Sequence, residues 1–311
     1  MKTGFLYTGQ GFQKPGMLRE LPDCSISREY LGRAEEALGC RLSALDSAEA
    51  LRTNDHVQIC IYICEVVWGR ILREDWPCEA VSGHSIGSFA AAEAAGAMKF
   101  EEGLSLVRLR GRCMERLFPQ GYGMYAVSGV TQRLMKQILQ KFIEENTDKE
   151  VYLATVNEET QCAVAGRLAD LEELTRFIHR FYPARVIPLR VTVPSHCRLM
   201  EPVAAALRGA AMQMEWQQLK IPVIVNSRAR RVWKTEEAAK DLIVGAARTV
   251  RWYDGITLMK ELGIERFLEA GPAHTLTDIG RRCYPQLRWI TGTAALRTGK
   301  TEREKDGTAH V

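Results

Sequence analysis

A glycine-bracketed serine, Ser85, is the residue of this chain with the clearest chemical potential. It lies in Gly83-His84-Ser85-Ile86-Gly87, after the short apolar run 80–82 and before an Ala-rich segment with a strong helix preference. Gly-x-Ser-x-Gly between a strand and a helix is typical of a nucleophile elbow, a sharp turn that exposes the serine hydroxyl. The turn also places that hydroxyl at the positive end of the following helix. We interpret Ser85 as a candidate nucleophile for acyl transfer.

A serine nucleophile needs a base, and the chain has six histidines to choose from. His196 follows the strand-like run 191–193 and a proline-fixed turn, at the start of the next predicted helix. Open α/β sheets place functional groups at the carboxyl ends of their strands, so His196 is the predicted base. His84 adjoins the serine, but successive residues at such a turn point apart. His274, at another predicted helix start, is a candidate cap or site-rim residue.

The segments that must position these residues alternate between strand and helix patterns. Strand 4–8 ends in Gly9-Gln10-Gly11, a tight loop that offers backbone N–H groups. The apolar run 57–72 is too long for one strand and predicts a central buried helix. Together with the strand and helix around Ser85, these segments predict an α/β fold, with a large α/β-hydrolase-like domain built on a parallel sheet core.

A change of texture between residues 122 and 190 predicts a second, smaller unit. Strand and helix patterns there follow the order β-α-β-β-α-β, which is typical of a ferredoxin-like subdomain. We therefore expect a ferredoxin-like subdomain at 122–190, inserted into a large domain formed by 1–121 and 191–296. The last stretch, 297–311, is polar and charged without a hydrophobic pattern, and we expect it to be a disordered tail.

Composition narrows the function classes. The 311 residues are 46% hydrophobic and 26% charged, as in an ordinary globular protein. The formal net charge of +4 argues against bulk nucleic-acid binding but suits an acidic partner or an anionic substrate. No run approaches ~18 apolar residues and no signal peptide precedes the first strand, so we expect neither a membrane span nor export. Nine scattered cysteines without a Cys-x-x-Cys pair indicate reduced thiols, no metal site and a cytoplasmic location.

Several motifs, taken in their order along residues 4 to 290, resemble the malonyl-CoA:acyl carrier protein transacylases of fatty-acid and polyketide synthesis. They are Gly9-Gln10-Gly11, the Ser85 pentapeptide, Arg110-Gly111 with Met114, Asn157 before Val164-Ala165-Gly166, Val193-Pro194-Ser195-His196-Cys197 and Glu269-Ala270-Gly271-Pro272. Within that family, less diagnostic motifs look most like the branch of malonate decarboxylase epsilon subunits. These are Leu45-Asp46-Ser47, Ala50-Leu51-Arg52-Thr53, Gly121-Tyr122-Gly123-Met124, Asn226-Ser227-Arg228-Ala229-Arg230 and Val250-Arg251-Trp252.

The resemblance implies an activity and its partners. Ser85 would attack the malonyl thioester while His196 takes its proton. The acyl-serine ester would then pass malonyl to the thiol on the phosphopantetheine-type arm of an acyl carrier protein. Malonyl-CoA would be a substrate, with no permanently bound cofactor and no metal. The family resemblance also suggests a monomer, unless the chain is part of a decarboxylase complex.

The resemblance also implies roles for residues around the nucleophile. The backbone N–H groups of Gln10 and Ile86 would form the oxyanion hole. Arg110 would bind the free malonyl carboxylate through a two-pronged, charge-assisted pair, which a lysine could not reproduce. The remaining residues implied on the substrate-binding side are Gln58, which would also help to hold the arginine, His84, Asn157 and Met114.

One position departs from the family pattern. Gly245 stands where fatty-acid transacylases carry a glutamine near the catalytic histidine. If a main-chain carbonyl orients the histidine, glycine can still supply it. If a side chain does so, another residue must take over that role.

Three readings of the function follow. The first is malonyl transfer to a carrier protein, within a malonate decarboxylase system or in fatty-acid or polyketide synthesis. The second is a Gly-x-Ser-x-Gly esterase or lipase, which needs an acidic residue and then a late histidine after the serine. The third is a non-enzymatic docking module, which the presence of Ser85, His196 and Arg110 disfavours.

Overall fold

The computed structural model describes residues 1–118 and 120–307. In chain order its helices and strands are β1 (Lys2–Tyr7), α1 (Ser25–Leu38), α2 (Asn54–Leu72), β2 (Ala80–Gly83), α3 (Gly87–Ala94), α4 (Phe100–Leu117), β3 (Tyr122–Ser128), α5 (Gln132–Glu145), β4 (Val151–Glu158), β5 (Gln161–Arg167), α6 (Leu168–Phe181), β6 (Arg185–Pro188), α7 (Glu201–Ala211), β7 (Val223–Val225), β8 (Arg230–Val232), α8 (Thr235–Gly245), β9 (Val250–Arg251), α9 (Trp252–Glu261), β10 (Ile264–Ala270), α10 (Thr275–Cys283), β11 (Arg288–Thr291) and α11 (Gly292–Gly307).

The large sheet has six strands in the order β11-β10-β1-β2-β7-β8. All neighbouring pairs are parallel except β7 and β8, which form an antiparallel hairpin. The central strand β1 is buried from its second residue onward, as expected for a strand covered on both faces. Its last residue, Tyr7, pairs with Gly83 and Ala270, so the carboxyl ends of three strands meet at one edge. The predicted α/β fold with a parallel sheet core is confirmed.

Helix α2 packs against this sheet and is buried at every position except His56 and Arg70. It starts three residues earlier than the predicted span 57–72, because the Thr53 hydroxyl caps it by accepting from the His56 N–H. A methyl group at Gly69 would lie 2.6 Å from the Tyr7 hydroxyl, so glycine allows the helix to approach β1 closely.

The second sheet has five strands in the order β6-β3-β5-β4-β9. Its first four strands, with α5 and α6, follow the order β-α-β-β-α-β between Tyr122 and Pro188. The fifth strand, β9, comes from beyond residue 190 and pairs parallel to β4, with Thr155 opposite Val250. The small sheet is therefore completed by a strand that the sequence boundary at 190 leaves out.

The disordered tail expected at 297–311 is wrong over residues 297–307, because α11 continues as far as Gly307. Buried Ala295 and partly buried Leu296 pack the first turns of α11 against the core, and the Glu, Lys and Arg residues that follow are good helix formers once a helix has started. Residues 308–311 of that expected tail lie outside the described residues. Among the described helices, none has the length and apolar character needed to cross a bilayer.

Candidate active site

The nucleophile elbow lies between β2 and α3, as its motif predicts. Ser85 has a φ of 55°, in the left-handed region that side chains rarely adopt. A methyl group at Gly83 would collide with the backbone of Gly87, and one at Gly87 would collide with the Tyr7 carbonyl. Both glycines are therefore needed for the turn to fit against β1 and to present the Ser85 hydroxyl at the edge of the sheet.

His196 meets the serine at this edge. The Ser85 hydroxyl lies 2.6 Å from Nε2 of His196, across 111 residues of sequence. On the other side of the ring, Nδ1 donates to the carbonyl of Gly245 at 2.8 Å. A carbonyl only accepts hydrogen bonds, so Nδ1 carries the proton and the Nε2 lone pair faces the hydroxyl. This is the tautomer that a general base requires.

The main-chain carbonyl of Gly245 orients His196, so no glutamine side chain is needed at this position. Gly245 is the last residue of α8, and its carbonyl belongs to the negative end of that helix. A positive charge that develops on His196 is therefore stabilised by a helix terminus. The backbone N–H of His196 donates to the neighbouring Ala246 carbonyl at 2.7 Å, which fixes the base a second time.

The electrostatics of the site keep the base neutral. Burial, with the positive charge of Arg110 as a second cause, lowers the pKa of His196 to about 3. An imidazole in the unfolded chain takes up a proton near its ordinary pKa of about 6.5. The folded state therefore loses stability, relative to the unfolded state, as the pH falls from about 6.5 towards 3.

We expect the reactivity of Ser85 to follow the same shifted titration. Its rate of modification by a neutral, serine-directed fluorophosphonate should stay level from about pH 8 to pH 5, because His196 remains neutral over this range. Circular dichroism at each pH would show where the fold is intact. A fall in rate with a midpoint near 6.5 in folded protein would mean that the base titrates as an exposed histidine does.

Arg110, on α4, is the third group at the nucleophile. Its side chain is 3% exposed, donates from Nη1 to Gln58 Oε1 at 2.7 Å and places Nη2 3.4 Å from the Ser85 hydroxyl. No carboxylate among the described residues pairs with it. Burial lowers the pKa of Arg110 to about 10. The guanidinium can therefore bind an anion beside Ser85.

Two residues expected on the substrate side lie behind Arg110 instead. Gln58 is fully buried, Met114 is 1% exposed, and neither lines the cleft. The Gln58 amide donates to the Met114 sulfur at 3.4 Å while its oxygen accepts from Arg110. Gln58 therefore holds the arginine, and Met114 in turn holds the Gln58 amide.

The cleft in front of the serine has a volume of about 430 Å³ and lies between the two sheets. Gln10 and Ile86 line it on the large-sheet side, beside Ser85. Among the described residues, no acceptor is found for the N–H of either residue. Asn157 and Thr155, both on β4, line the opposite wall.

His84 lines the cleft and links its two walls. Its Nε2 donates to Asn157 Oδ1 at 3.1 Å, and its ring packs edge-on against Trp252. Burial lowers the pKa of His84. His274 precedes α10 at the rim of the cleft, where Nδ1 bonds Asp278 at 2.6 Å.

Sequence reasoning missed Asn226, which supports the elbow. Its Oδ1 accepts from the Ser85 N–H at 3.3 Å and its Nδ2 donates to the Gly83 carbonyl at 2.6 Å. A signal was present, because Asn226 directly follows β7 at the carboxyl edge of the sheet. Within the described part of the chain, no cluster of His, Cys, Asp and Glu side chains could hold a metal ion.

A serine hydroxyl within hydrogen-bond distance of a neutral histidine, with a cation beside it, suits acyl transfer, and the chain is similar to known acyl transferases. The family described as "Acyl transferase domain" matches residues 4–309. The malonyl CoA-acyl carrier protein transacylase of Haemophilus influenzae is 29% identical over 298 residues, which cover 93% of this chain and 95% of the relative.

Solved structures share the fold as well. The crystal structure of MCAT from Streptococcus pneumoniae is 30% identical, with a TM-score of 0.87 over 93% of this chain and 95% of that one. The structure of a type II PKS acyl-carrier protein in complex with its malonyl-transacylase also contains a similar chain. That chain is 26% identical, with a TM-score of 0.87 over 96% of this chain and 99% of that one. The chain therefore belongs to the acyl transferase domain family and is an acyltransferase.

Proposed function

We propose that this acyltransferase moves a malonyl group from malonyl-CoA, through an ester on Ser85, to the thiol of an acyl carrier protein. The names of its relatives support this reading: one is a malonyl CoA-acyl carrier protein transacylase, and another is a malonyl-transacylase bound to an acyl-carrier protein. The motifs of Gly9-Gln10-Gly11, Ser85 and His196 agree with it.

The observation that carries the proposal is the unpaired cation at the nucleophile. Arg110 is 3% exposed, and its Nη2 lies 3.4 Å from the Ser85 hydroxyl. A buried cation without a counter-charge is unfavourable, and an anionic substrate removes that penalty. Malonyl-CoA brings a carboxylate two bonds beyond its reacting carbonyl, and a guanidinium binds a carboxylate in a bidentate manner.

The proposed reaction uses the groups around Ser85. Ser85 Oγ attacks the thioester carbonyl while its proton passes to Nε2 of His196. The N–H groups of Gln10 and Ile86 stabilise the negative charge on the tetrahedral oxygen, each contributing about 3 kcal/mol to lowering the barrier. His196 then protonates the departing CoA sulfur. The carrier thiol attacks the malonyl ester by the same steps in reverse, which regenerates Ser85.

The esterase reading is less well supported. Esterases of this motif orient their histidine with an acidic side chain, whereas His196 Nδ1 donates to the Gly245 carbonyl. A cation beside the nucleophile also has no role in the hydrolysis of neutral esters.

Within malonyl transfer, the branch motifs favour a malonate decarboxylase system over fatty-acid or polyketide synthesis. One of them, Asn226 to Arg230, begins at the residue that bonds the Ser85 N–H. The arm of the carrier is either ordinary phosphopantetheine or the extended dephospho-CoA form, and the two alternatives are distinguished by experiment.

The test is to incubate the protein with malonyl-CoA or acetyl-CoA and locate the ester by peptide mass spectrometry. We expect a malonyl ester on Ser85 that persists in buffer and is removed by a carrier thiol. Carriers with the ordinary arm and with the extended arm, assayed side by side, separate the two pathways by their kcat/KM. Rapid hydrolysis to free malonate without a carrier would contradict transfer and favour an esterase.

A further inference from the structure

The nucleophile and the base share an unusual backbone feature. Among the described residues, only three non-glycine residues have a positive φ, and two of them are Ser85 (55°) and His196 (65°). Residues held in this region are strained and persist only where surrounding contacts fix them. The contacts that fix these two residues lead to a single helix, α8.

The nucleophile is connected to α8 through Asn226 and Asp241. Asp241, on α8, is 4% exposed, and its carboxylate accepts from the backbone N–H of Asn226 at 2.8 Å. It also accepts from the N–H of Ser227 at 3.1 Å and from the Ser227 hydroxyl. Asp241 thus fixes the backbone of Asn226, and the Asn226 side chain spans the elbow by bonding the Gly83 carbonyl and the Ser85 N–H.

The base is connected to the same helix one turn later. Gly245 lies four residues after Asp241, and its carbonyl accepts from Nδ1 of His196. Positions i and i+4 of a helix lie on one face, about 6 Å apart along the axis. The two anchoring groups therefore keep a fixed separation that is set by the backbone hydrogen bonds of α8.

We propose that Asp241 is a positioning residue for the reaction: through Asn226 it sets the nucleophile against the base that the end of the same helix holds. The 2.6 Å separation of Ser85 Oγ and His196 Nε2 depends on this common support. The inference rests on the proposed function only in taking Ser85 as the nucleophile. Misplacement of a reacting group by about 1 Å can cost roughly 100-fold in rate.

The test compares Asp241→Asn with Asp170→Asn. Asp170 is a matched control, because it is also a buried carboxylate that accepts a backbone N–H, from Glu150, but it lies in the small sheet's helix α6. The rate of Ser85 modification by a fluorophosphonate, per folded molecule, should fall roughly 10- to 100-fold in Asp241→Asn and stay within about twofold in the control. With malonyl-CoA, the loss should appear in kcat and leave KM within about threefold.

A double-mutant cycle separates positioning from a general structural role. If Asp241 acts through Asn226, Asn226→Ala combined with Asp241→Asn should be no slower than Asn226→Ala alone. Should Asp241→Asn fail to fold, Asn226→Ser tests the same link, because its short side chain cannot bond both Gly83 and Ser85.

Unchanged Ser85 reactivity in folded Asp241→Asn or Asn226→Ser, or multiplicative effects in the cycle, would overturn the inference. The reactions of the wild-type protein distinguish failure of the positioning role of Asp241 from failure of the proposed function. If wild-type Ser85 reacts with the fluorophosphonate but is not acylated by malonyl-CoA, the proposed function fails while the positioning role remains testable.

Discussion

Ser85→Ala is expected to abolish covalent loading, with a loss of about 10⁴-fold or more in kcat/KM for malonyl transfer. The variant removes the hydroxyl that lies next to the neutral imidazole of His196 and would attack the thioester carbonyl. The measurement is peptide mass spectrometry after incubation with malonyl-CoA, combined with transfer assays to a carrier protein. Ser105→Ala, on the exposed face of α4, is the matched control and should load as the wild type does.

Binding should survive this substitution. The guanidinium of Arg110 keeps its place through Gln58, so the dissociation constant for malonyl-CoA, measured by calorimetry, should change less than about threefold. Malonyl loading that continues in Ser85→Ala, on any residue, would end the nucleophile assignment. Loss of binding together with loss of loading would instead indicate that the elbow has collapsed.

The parts of this site that depend on local sequence could be predicted without a structure. The elbow depends on residues within five positions, and its glycines are required because their neighbours approach too closely for a side chain. His196 was predicted as the base from a strand-like run at 191–193, a proline-fixed turn and a helix start. The structure brings His196 to Ser85, but the prediction was wrong about its support, because residues 191–193 form no strand and α7 begins only at Glu201. The buried helix α2 could be predicted because its apolar run is too long for a strand.

The parts of the site that depend on long-range contacts could not be predicted from the sequence. The Gly245 carbonyl meets His196 across 49 residues, and Asn226 meets Ser85 across 141. A backbone carbonyl leaves no mark in the side-chain sequence, so the position of Gly245 left both alternatives open. The strand β9 is only two residues long, and its pairing with β4 has no local pattern.

The sequence also did not show which side chains line the cleft and which lie behind them. The family resemblance placed Gln58 and Met114 on the substrate side, and it gave Gln58 a second role in holding the arginine, to which Gln58 does bond. In the structure the guanidinium of Arg110 takes the place beside the cleft, and the other two lie behind it. The C-terminal region shows the same limit, since its charged composition did not reveal that α11 is anchored by Ala295.

Arg110→Ala is expected to change which acyl group the enzyme accepts. Removing one partner of a buried, hydrogen-bonded charge pair costs about 2–5 kcal/mol, so kcat/KM for malonyl-CoA should fall roughly 30- to 5,000-fold. Acetyl-CoA has no carboxylate to lose a partner, and its loading should stay within about threefold. Arg110→Lys should lie between, because an ammonium keeps the charge without the bidentate fork. Burst measurements with each thioester give both values.

Arg112→Ala provides the control on the same helix. Arg112 is two positions further along α4, pairs with Asp55 at 2.9 Å and does not line the cleft. Its loss should leave the ratio of malonyl to acetyl loading unchanged. Equal losses for both thioesters in Arg110→Ala would show that the arginine supports the fold and not the substrate carboxylate.

The same variant tests the electrostatic coupling between the cation and the base. The positive charge of Arg110 is, after burial, the second cause that lowers the pKa of His196. In Arg110→Ala the imidazole should therefore titrate at a higher pH, and the acid limb of Ser85 modification should move towards neutrality. A malonyl carboxylate bound to the wild type compensates the same charge. Substrate binding should thus raise the basicity of His196 at the step where it must accept a proton.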